Sequence, residues 1–260
     1  MTNPWQTAKL ADCRDHGPGS GAELFVVEGD SASRAVESVR DARFQAVLPM
    51  QGKPLNALRA SRRTVEANPL FGALVEAMCT GAGESFDAGA ARYERVVLLT
   101  DPDADGIHCG VLLLFYFHRW MRPWLEDGRL EAVQAPMFEI VPATGGPIRA
   151  FTEEEYRERL DELARAGTGI ESKLRHRGLG SIDPGTLRTC CVSPETRRSF
   201  RLRPEDATAA IAVFSPELAG KVDGDRPRSA AEVRPSRGEP DAGQLPLFES
   251  PGPGPRRSRG

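Results

Sequence analysis

The run Val96-Val97-Leu98-Leu99-Thr100 leads straight into the acidic turn Asp101-Pro102-Asp103-Ala104-Asp105-Gly106, and this junction constrains the fold more than any other feature. A strand with one wet face alternates polar and apolar residues, so a continuous aliphatic run belongs to a strand covered on both faces, as in a parallel sheet flanked by helices. Leu24-Phe25-Val26-Val27 has the same character and also ends in an acidic turn, Glu28-Gly29-Asp30. Helix-compatible sequence follows each: Ser31 to Arg40 after the first, and Ile107 to Glu126 after the second, closed by Asp127-Gly128. Ala46-Val47-Leu48-Pro49 and Leu130 to Ala135 read as further strands, and residues 64–78 as a helix. Strands alternating with helices predict an α/β fold on an open parallel sheet with helices on its faces.

Residues 1–21 form a polar, Gly-rich lead-in with no obvious element, and the main domain is expected over 22–142. A small C-terminal segment follows over 143–219; it includes a helix at 151–165 that Thr152 can cap and whose first turn is acidic. Residues 220–260 carry seven Pro, seven Gly and few apolar side chains, too little apolar surface to fold, and read as a disordered tail.

Charge and cysteines narrow the function. The net charge is only -3, so contact with nucleic acid requires a local basic patch or a bound cation. Five cysteines without a C-x-x-C pair or enough nearby histidines argue against zinc and for reduced thiols in a cytoplasm. The longest apolar run, Cys109 to Phe117, is broken by His118 and Arg119, and no signal peptide opens the chain, so a soluble cytoplasmic protein is expected.

Glu28 and Asp101 each follow the carboxyl end of a predicted parallel strand, where open α/β sheets place their binding crevice. Asp103 and Asp105 add two carboxylates beside them. Four such groups repel one another and call for a cation. Hard oxygen ligands select Mg²⁺, with Mn²⁺ possible, and Mg²⁺ shares its shell with phosphates, which suits phosphoryl transfer. D-x-D-x-D-G also opens an EF-hand calcium loop, but the twelfth position from Asp101 is Leu112 rather than the required Glu. A solvated acidic turn without an ion is the remaining alternative. Gly52-Lys53 is followed by Pro54 instead of Ser or Thr and is not a P-loop, which leaves Lys53 and Asn56 as phosphate or base-edge contacts or as an ordinary polar loop.

Glu28-Gly29-Asp30-Ser31-Ala32, Leu48-Pro49 through Gly52-Lys53 to Leu55-Asn56, and Thr100-Asp101-Pro102-Asp103-Ala104-Asp105-Gly106-Ile107-His108 resemble, in order, the Toprim motifs of the gyrase B and topoisomerase IV ATPase-type subunits of bacterial type IIA topoisomerases. The resemblance extends to Lys9-Leu10-Ala11-Asp12-Cys13, Gln134-Ala135-Pro136-Met137-Phe138, Arg177-Gly178-Leu179-Gly180 and Ser193-Pro194-Glu195-Thr196-Arg197-Arg198, covering roughly residues 9–214. It implies a Toprim domain over 22–142 and a C-terminal segment like the end of gyrase B. It also implies that Glu28, Asp101 and Asp103 hold catalytic Mg²⁺ with help from Asp105, and that Lys53, Asn56, His108 and Arg177 face DNA.

The chemistry implied is reversible transesterification, in which a tyrosine hydroxyl attacks a DNA phosphodiester. That tyrosine belongs to the partner, a gyrase A or topoisomerase IV cleavage-type subunit, so Tyr93, Tyr116 and Tyr156 are not assigned the role. An ATPase domain is not expected in this chain. Three departures from the family pattern stand out: Gln51 replaces a basic residue, Pro54 stiffens the next loop, and Ser181 replaces the acid that ends Lys-Gly-Leu-Gly-Glu.

In the tail, Gln244, Leu245, Leu247 and Phe248 of Gln244-Leu245-Pro246-Leu247-Phe248 resemble peptides that dock on the bacterial sliding clamp; a chance apolar cluster is the alternative. Two further functions compete with the topoisomerase module. One is a stand-alone metal-dependent nuclease of DNA or RNA, in which water replaces tyrosine and His108 is the candidate base. The other is a noncatalytic adaptor that binds DNA or a topoisomerase partner.

Overall fold

The structure, a computed structural model, describes residues 9–219. Strand β1 (Glu23–Glu28) passes into helix α1 (Gly29–Glu37), followed by β2 (Gln45–Met50), α2 (Arg62–Glu66), α3 (Pro69–Met78) and β3 (Arg95–Leu99). Then come α4 (Ala104–Trp120), α5 (Arg122–Glu126) and β4 (Leu130–Val133). The remaining elements are β5 (Phe138–Pro142), β6 (Ile148–Ala150), α6 (Glu153–Arg165), β7 (Ile170–Arg175), α7 (Pro184–Leu187), β8 (Ser199–Arg201) and α8 (Pro204–Phe214).

The main sheet runs β2-β1-β3-β4-β8; β2, β1, β3 and β4 are mutually parallel, and β8 pairs antiparallel with β4. The expected parallel α/β sheet is therefore present, with an antiparallel edge that the sequence did not announce. Its two faces are both covered, as the continuous apolar runs required. Leu24, Val26, Val96 and Leu98 point into one core with residues of α3, α4, α5 and α8, such as Leu74, Leu114, Trp124 and Ile211. Phe25, Val27, Val97 and Leu99 point into the other with Ala32 and Val36 of α1, Leu179 and Leu187. β2 is an edge strand, which is where Pro49 is tolerated because it has no amide to donate. The lead-in is not featureless: Ala11 bridges Val47 on that edge, with N···O distances of 2.9 Å in both directions, and shields it.

Two expected helices are each divided by proline. Residues 64–78 fall into α2 and α3, because Asn68 accepts from the Leu70 and Phe71 amides as an N-cap and Pro69 opens the new helix. The helix expected over 107–126 starts at Ala104 and breaks at Met121, two residues before Pro123, whose missing amide cannot continue the ladder. Thr152 caps α6 as expected, accepting from the Glu155 amide at 3.0 Å.

The segment after β4 first builds a separate antiparallel sheet, β6-β5-β7, with Tyr156 of α6 stacked on Phe138 (ring centroids 4.2 Å). It then returns to the main sheet. Arg197 is fully buried there between Glu23 and Glu131, donating at 2.7 Å to both oxygens of the first and at 2.8 Å to the second. β8 follows directly, and α8 packs on α4. Among the described residues no helix is long and apolar enough to cross a membrane.

Candidate metal centre

Glu28 ends β1, and Gly29, in the left-handed region at φ 60°, turns the chain sharply into α1. Asp101 follows β3, the parallel neighbour of β1 in the register Val27 to Leu99. Adjacent parallel strands thus deliver both carboxylates to one side, the acidic edge formed by the carboxyl ends of β1 and β3. The Asp101 amide donates to Glu28 Oε1 at 3.0 Å, and the Leu179 amide donates to Asp101 Oδ1 at 2.9 Å. Asp103 caps α4, accepting from the Gly106 amide at 2.8 Å, and Asp105 lies in the first helical turn, exposed.

The electrostatics are those of a site short of positive charge. Burial pushes the Glu28 carboxyl above its ordinary value, the Asp101 amide opposes this, and the charges of Asp101, Asp103 and Asp105 push it further up. Asp101 is likewise raised by burial and by Asp103, against the pull of the Leu179 amide. Half-buried carboxylates that repel one another fit a cation with hard-oxygen preference. The packing leaves no slack around them: a Cβ on Gly106 would lie 2.1 Å from the Asp101 carbonyl oxygen and 2.8 Å from Glu28 Oε1.

No three of the four carboxylates bring their oxygens within 4.8 Å of one another; among the described residues that spacing is held by Asp12, Cys13 and His16. Arg92 disqualifies that trio, since its guanidinium lies 2.6 Å from Asp12 and 2.8 Å from His16 and already supplies the cation. The wider spacing around Glu28 and Asp101 suits an ion that keeps several waters and touches few side chains directly.

The Toprim domain model matches residues 23–135, a span that includes β1, the sheet edge, both acidic turns and β4. The chain carries a Toprim domain. Its similarity to known proteins extends beyond those residues. The DNA gyrase B protein of Archaeoglobus fulgidus is 38% identical over 207 residues, 80% of this chain and 32% of that protein. The DNA gyrase B protein of Mycobacterium tuberculosis is 37% identical over 232 residues, 87% of this chain and 34% of that protein, and that of Thermotoga maritima is 37% identical over 214 residues, 82% and 33%. The chain therefore spans about a third of the length of these relatives.

Around the Toprim carboxylates the other residues singled out in the sequence take distinct places. Lys53 Nζ lies 3.1 Å from Asp105 Oδ1, both exposed. His108 sits one turn further along α4 with its ring stacked on Phe214 of α8 (centroids 6.2 Å, 22° between planes). Burial and the Lys53 charge hold its imidazole below the ordinary histidine value, partly offset by Asp105. Asn56 is half-buried, and its Oδ1 accepts from the Leu58 amide at 3.0 Å, so this oxygen shapes the loop while the amide nitrogen stays available. Arg177 is exposed beside Gly178, which abuts Asp101. Gln51, which replaces a basic residue, donates to Asp30 at 3.3 Å, and Lys9 forms an ion pair with the same carboxylate. Sequence reasoning missed the Leu179 amide as a partner of Asp101, because a backbone donor leaves no side-chain signal. Gln244, Leu245, Leu247 and Phe248, with the rest of the tail over 220–260, lie outside the described residues.

Proposed function

We propose that this chain is the Mg²⁺-dependent DNA-cleavage module of a type IIA topoisomerase, acting on DNA with a tyrosine-bearing gyrase A or topoisomerase IV cleavage-type subunit in trans. The observation that carries the reading is the pairing of Glu28 and Asp101 at 3.0 Å on neighbouring strand ends, within a chain 36–40% identical to DNA gyrase B proteins. Glu28, Asp101 and Asp103, with Asp105 beside them, would hold the ion. When bound, Mg²⁺ supplies positive charge that stabilises the developing negative charge on a phosphodiester undergoing transesterification.

The chain's own residues position the reactants. Lys53, whose ammonium is exposed beside Asp105, would exchange that carboxylate for a strand phosphate. Arg177, exposed next to the Gly178 that abuts Asp101, and the amide nitrogen of Asn56, in the loop after Lys53, would offer further donors. Burial and the Lys53 charge hold the His108 imidazole below the ordinary histidine value, which favours its uncharged form as a contact for the strand. The partner tyrosine exchanges its O–H for a bond to phosphorus while the strand oxygen leaves and takes the proton; the reverse step reseals the strand.

Incubation of the purified chain with supercoiled plasmid and Mg²⁺ or Mn²⁺, with and without a cleavage subunit, tests this reading. Cleavage that requires both proteins and disappears in Asp101→Asn supports it. Cleavage by the chain alone makes it a nuclease, and DNA binding with no cleavage in either mixture makes it an adaptor.

A further inference from the structure

The four-residue turn Gly178 to Ser181 lies outside the Toprim match at 23–135, yet it is in direct contact with the acidic edge. Its second residue, Leu179, is fully buried in the same core cluster as Val27 of β1, Ala32 of α1 and Leu99 of β3. The turn is closed on itself by Ser181, whose amide and hydroxyl both donate to the Gly178 carbonyl, at 2.9 and 2.7 Å. It is also set against the first acidic motif: a Cβ on Gly180 would lie 2.8 Å from Ser31 Oγ. Ser181 stands where the family pattern has an acid, and here its short side chain is spent on the turn itself.

Two features of this turn face Asp101. The Leu179 amide donates to Oδ1 at 2.9 Å. Gly178, in extended backbone at φ -164°, has its missing Cβ aimed at the other oxygen: a methyl there would come within 3.0 Å of Oδ2 and 3.3 Å of Cγ and Oδ1. Any residue can adopt that backbone, so what crowds a side chain at 178 is the carboxylate, which would have to give way by a few tenths of an ångström.

We infer that the Gly178–Ser181 turn is a positioning clamp for Asp101: the Leu179 amide holds Oδ1, and the bare Cα of Gly178 keeps open the space in which Oδ2 presents itself to the cation. The inference rests on the reading of Asp101 as a cation ligand and adds the element that orients it. Groups that orient a ligand affect affinity nearly as much as ligands do, because a carboxylate free to rotate must be ordered at each binding event. The clamp also couples the site to the chain beyond 135, since Leu179 holds its place through core contacts on the side of the sheet shared with Leu187 and Val192.

The test compares the full chain with Gly178→Ala, Asp101→Asn and, as a control away from the site, Gly169→Ala, whose Cβ would make an ordinary 3.5 Å contact with Ala143. Mn²⁺ binding is read by electron paramagnetic resonance, folding by circular dichroism, and the Leu179 amide by ¹⁵N–¹H spectra in the absence of metal. Gly178→Ala is expected to remain folded and to lose roughly tenfold in Mn²⁺ affinity, the scale typical of groups that orient a metal ligand, while Gly169→Ala binds as the parent does. In metal-free Asp101→Asn the Leu179 amide resonance moves upfield as it loses a charged acceptor. Weakened binding in Asp101→Asn with parental binding in Gly178→Ala overturns the clamp and leaves the metal site standing. Parental binding in Asp101→Asn overturns both. Should Gly178→Ala fail to fold, the amide spectrum decides alone: a Leu179 resonance unmoved by Asp101→Asn overturns the clamp.

Discussion

The Asp101 amide donates to Glu28 Oε1 across 3.0 Å, so the backbone of one acidic turn fixes the side chain of the other. The contact follows from parallel pairing of β1 with β3, which ends both strands at one level and turns two carboxylates, distant in sequence, into neighbours.

That proximity predicts a destabilised metal-free protein at neutral pH. Both carboxyls have folded values above their ordinary 4.5 and 3.8. The fold therefore prefers their protonated forms, and their contribution to stability is present below those ordinary values and lost as pH rises through the raised ones. In EDTA at pH 7, Glu28→Gln and Asp101→Asn are expected to melt a few degrees above the parent, with the gap closing as pH falls below about 4. Excess Mg²⁺ should raise the parent's melting temperature more than either variant's. Differential scanning fluorimetry reads both effects, and variants that melt lower than the parent at pH 7 would show that the carboxylates are already neutralised.

The stacking of His108 on Phe214 gives a second measurable outcome. Burial is the largest influence lowering the imidazole, followed by the Lys53 charge, with Asp105 opposing. Phe214→Ala, which uncovers the ring, and Lys53→Gln, which removes the charge, should each move the His108 titration upward toward 6.5, whereas Asp105→Asn should move it down. Imidazole proton shifts followed by NMR against pH check all three directions.

Much of this architecture was legible in local pattern. The unbroken runs Leu24–Val27 and Val96–Leu99 fixed the two-sided parallel sheet, because only burial on both faces tolerates such sequence, and their acidic ends placed Glu28 and Asp101 together. What the pattern could not show is where polar sequence returns to the core. Nothing in the local sequence around Arg197 marks it for burial, yet its side chain is buried, since its partners Glu23 and Glu131 come from β1 and β4. β8 is three residues long, too short for periodicity to register, and the backbone donor at Leu179 has no signature at all.

The Glu23–Arg197–Glu131 arrangement predicts a large stability effect far from the acidic edge. Arg197→Ala removes the buried cation between two carboxylates, leaving them the longer contacts of Arg95 at 3.9 and 3.4 Å, and is expected to lose about 3 kcal/mol, read as a lower urea midpoint. Replacing all three together by Gln, Met and Gln should recover most of that loss, because the penalty lies in the uncompensated charge. The pH dependence has the opposite sense to that of the acidic edge. Burial raises Glu131, but its bonds to Arg197 outweigh this and hold it below 4.5, so the stability it contributes is present above that value and lost as pH falls through the lowered one. The parent should therefore show an acid-sensitive urea midpoint in that range, and Arg197→Ala a much flatter one.

Two glycines one turn apart on α4 should respond to alanine in opposite directions. At Gly106 a Cβ would lie 2.1 Å from the Asp101 carbonyl oxygen, so the acidic turn must shift bodily away from the helix. Gly106→Ala is expected to lose about 1–3 kcal/mol through overpacking and to weaken Mn²⁺ binding, since Glu28 Oε1 lies 2.8 Å from the same point. At Gly110 a Cβ would meet Thr100 Oγ1 at 3.9 Å, an ordinary contact, and the position is helical. Gly110→Ala is expected to gain about 0.5–1 kcal/mol by restricting the unfolded chain, with Mn²⁺ affinity unchanged. Urea titrations of the pair separate the close approach of α4 to the acidic turn from the general intolerance of a buried helix; equal losses at both positions would assign the effect to the helix and not to the site.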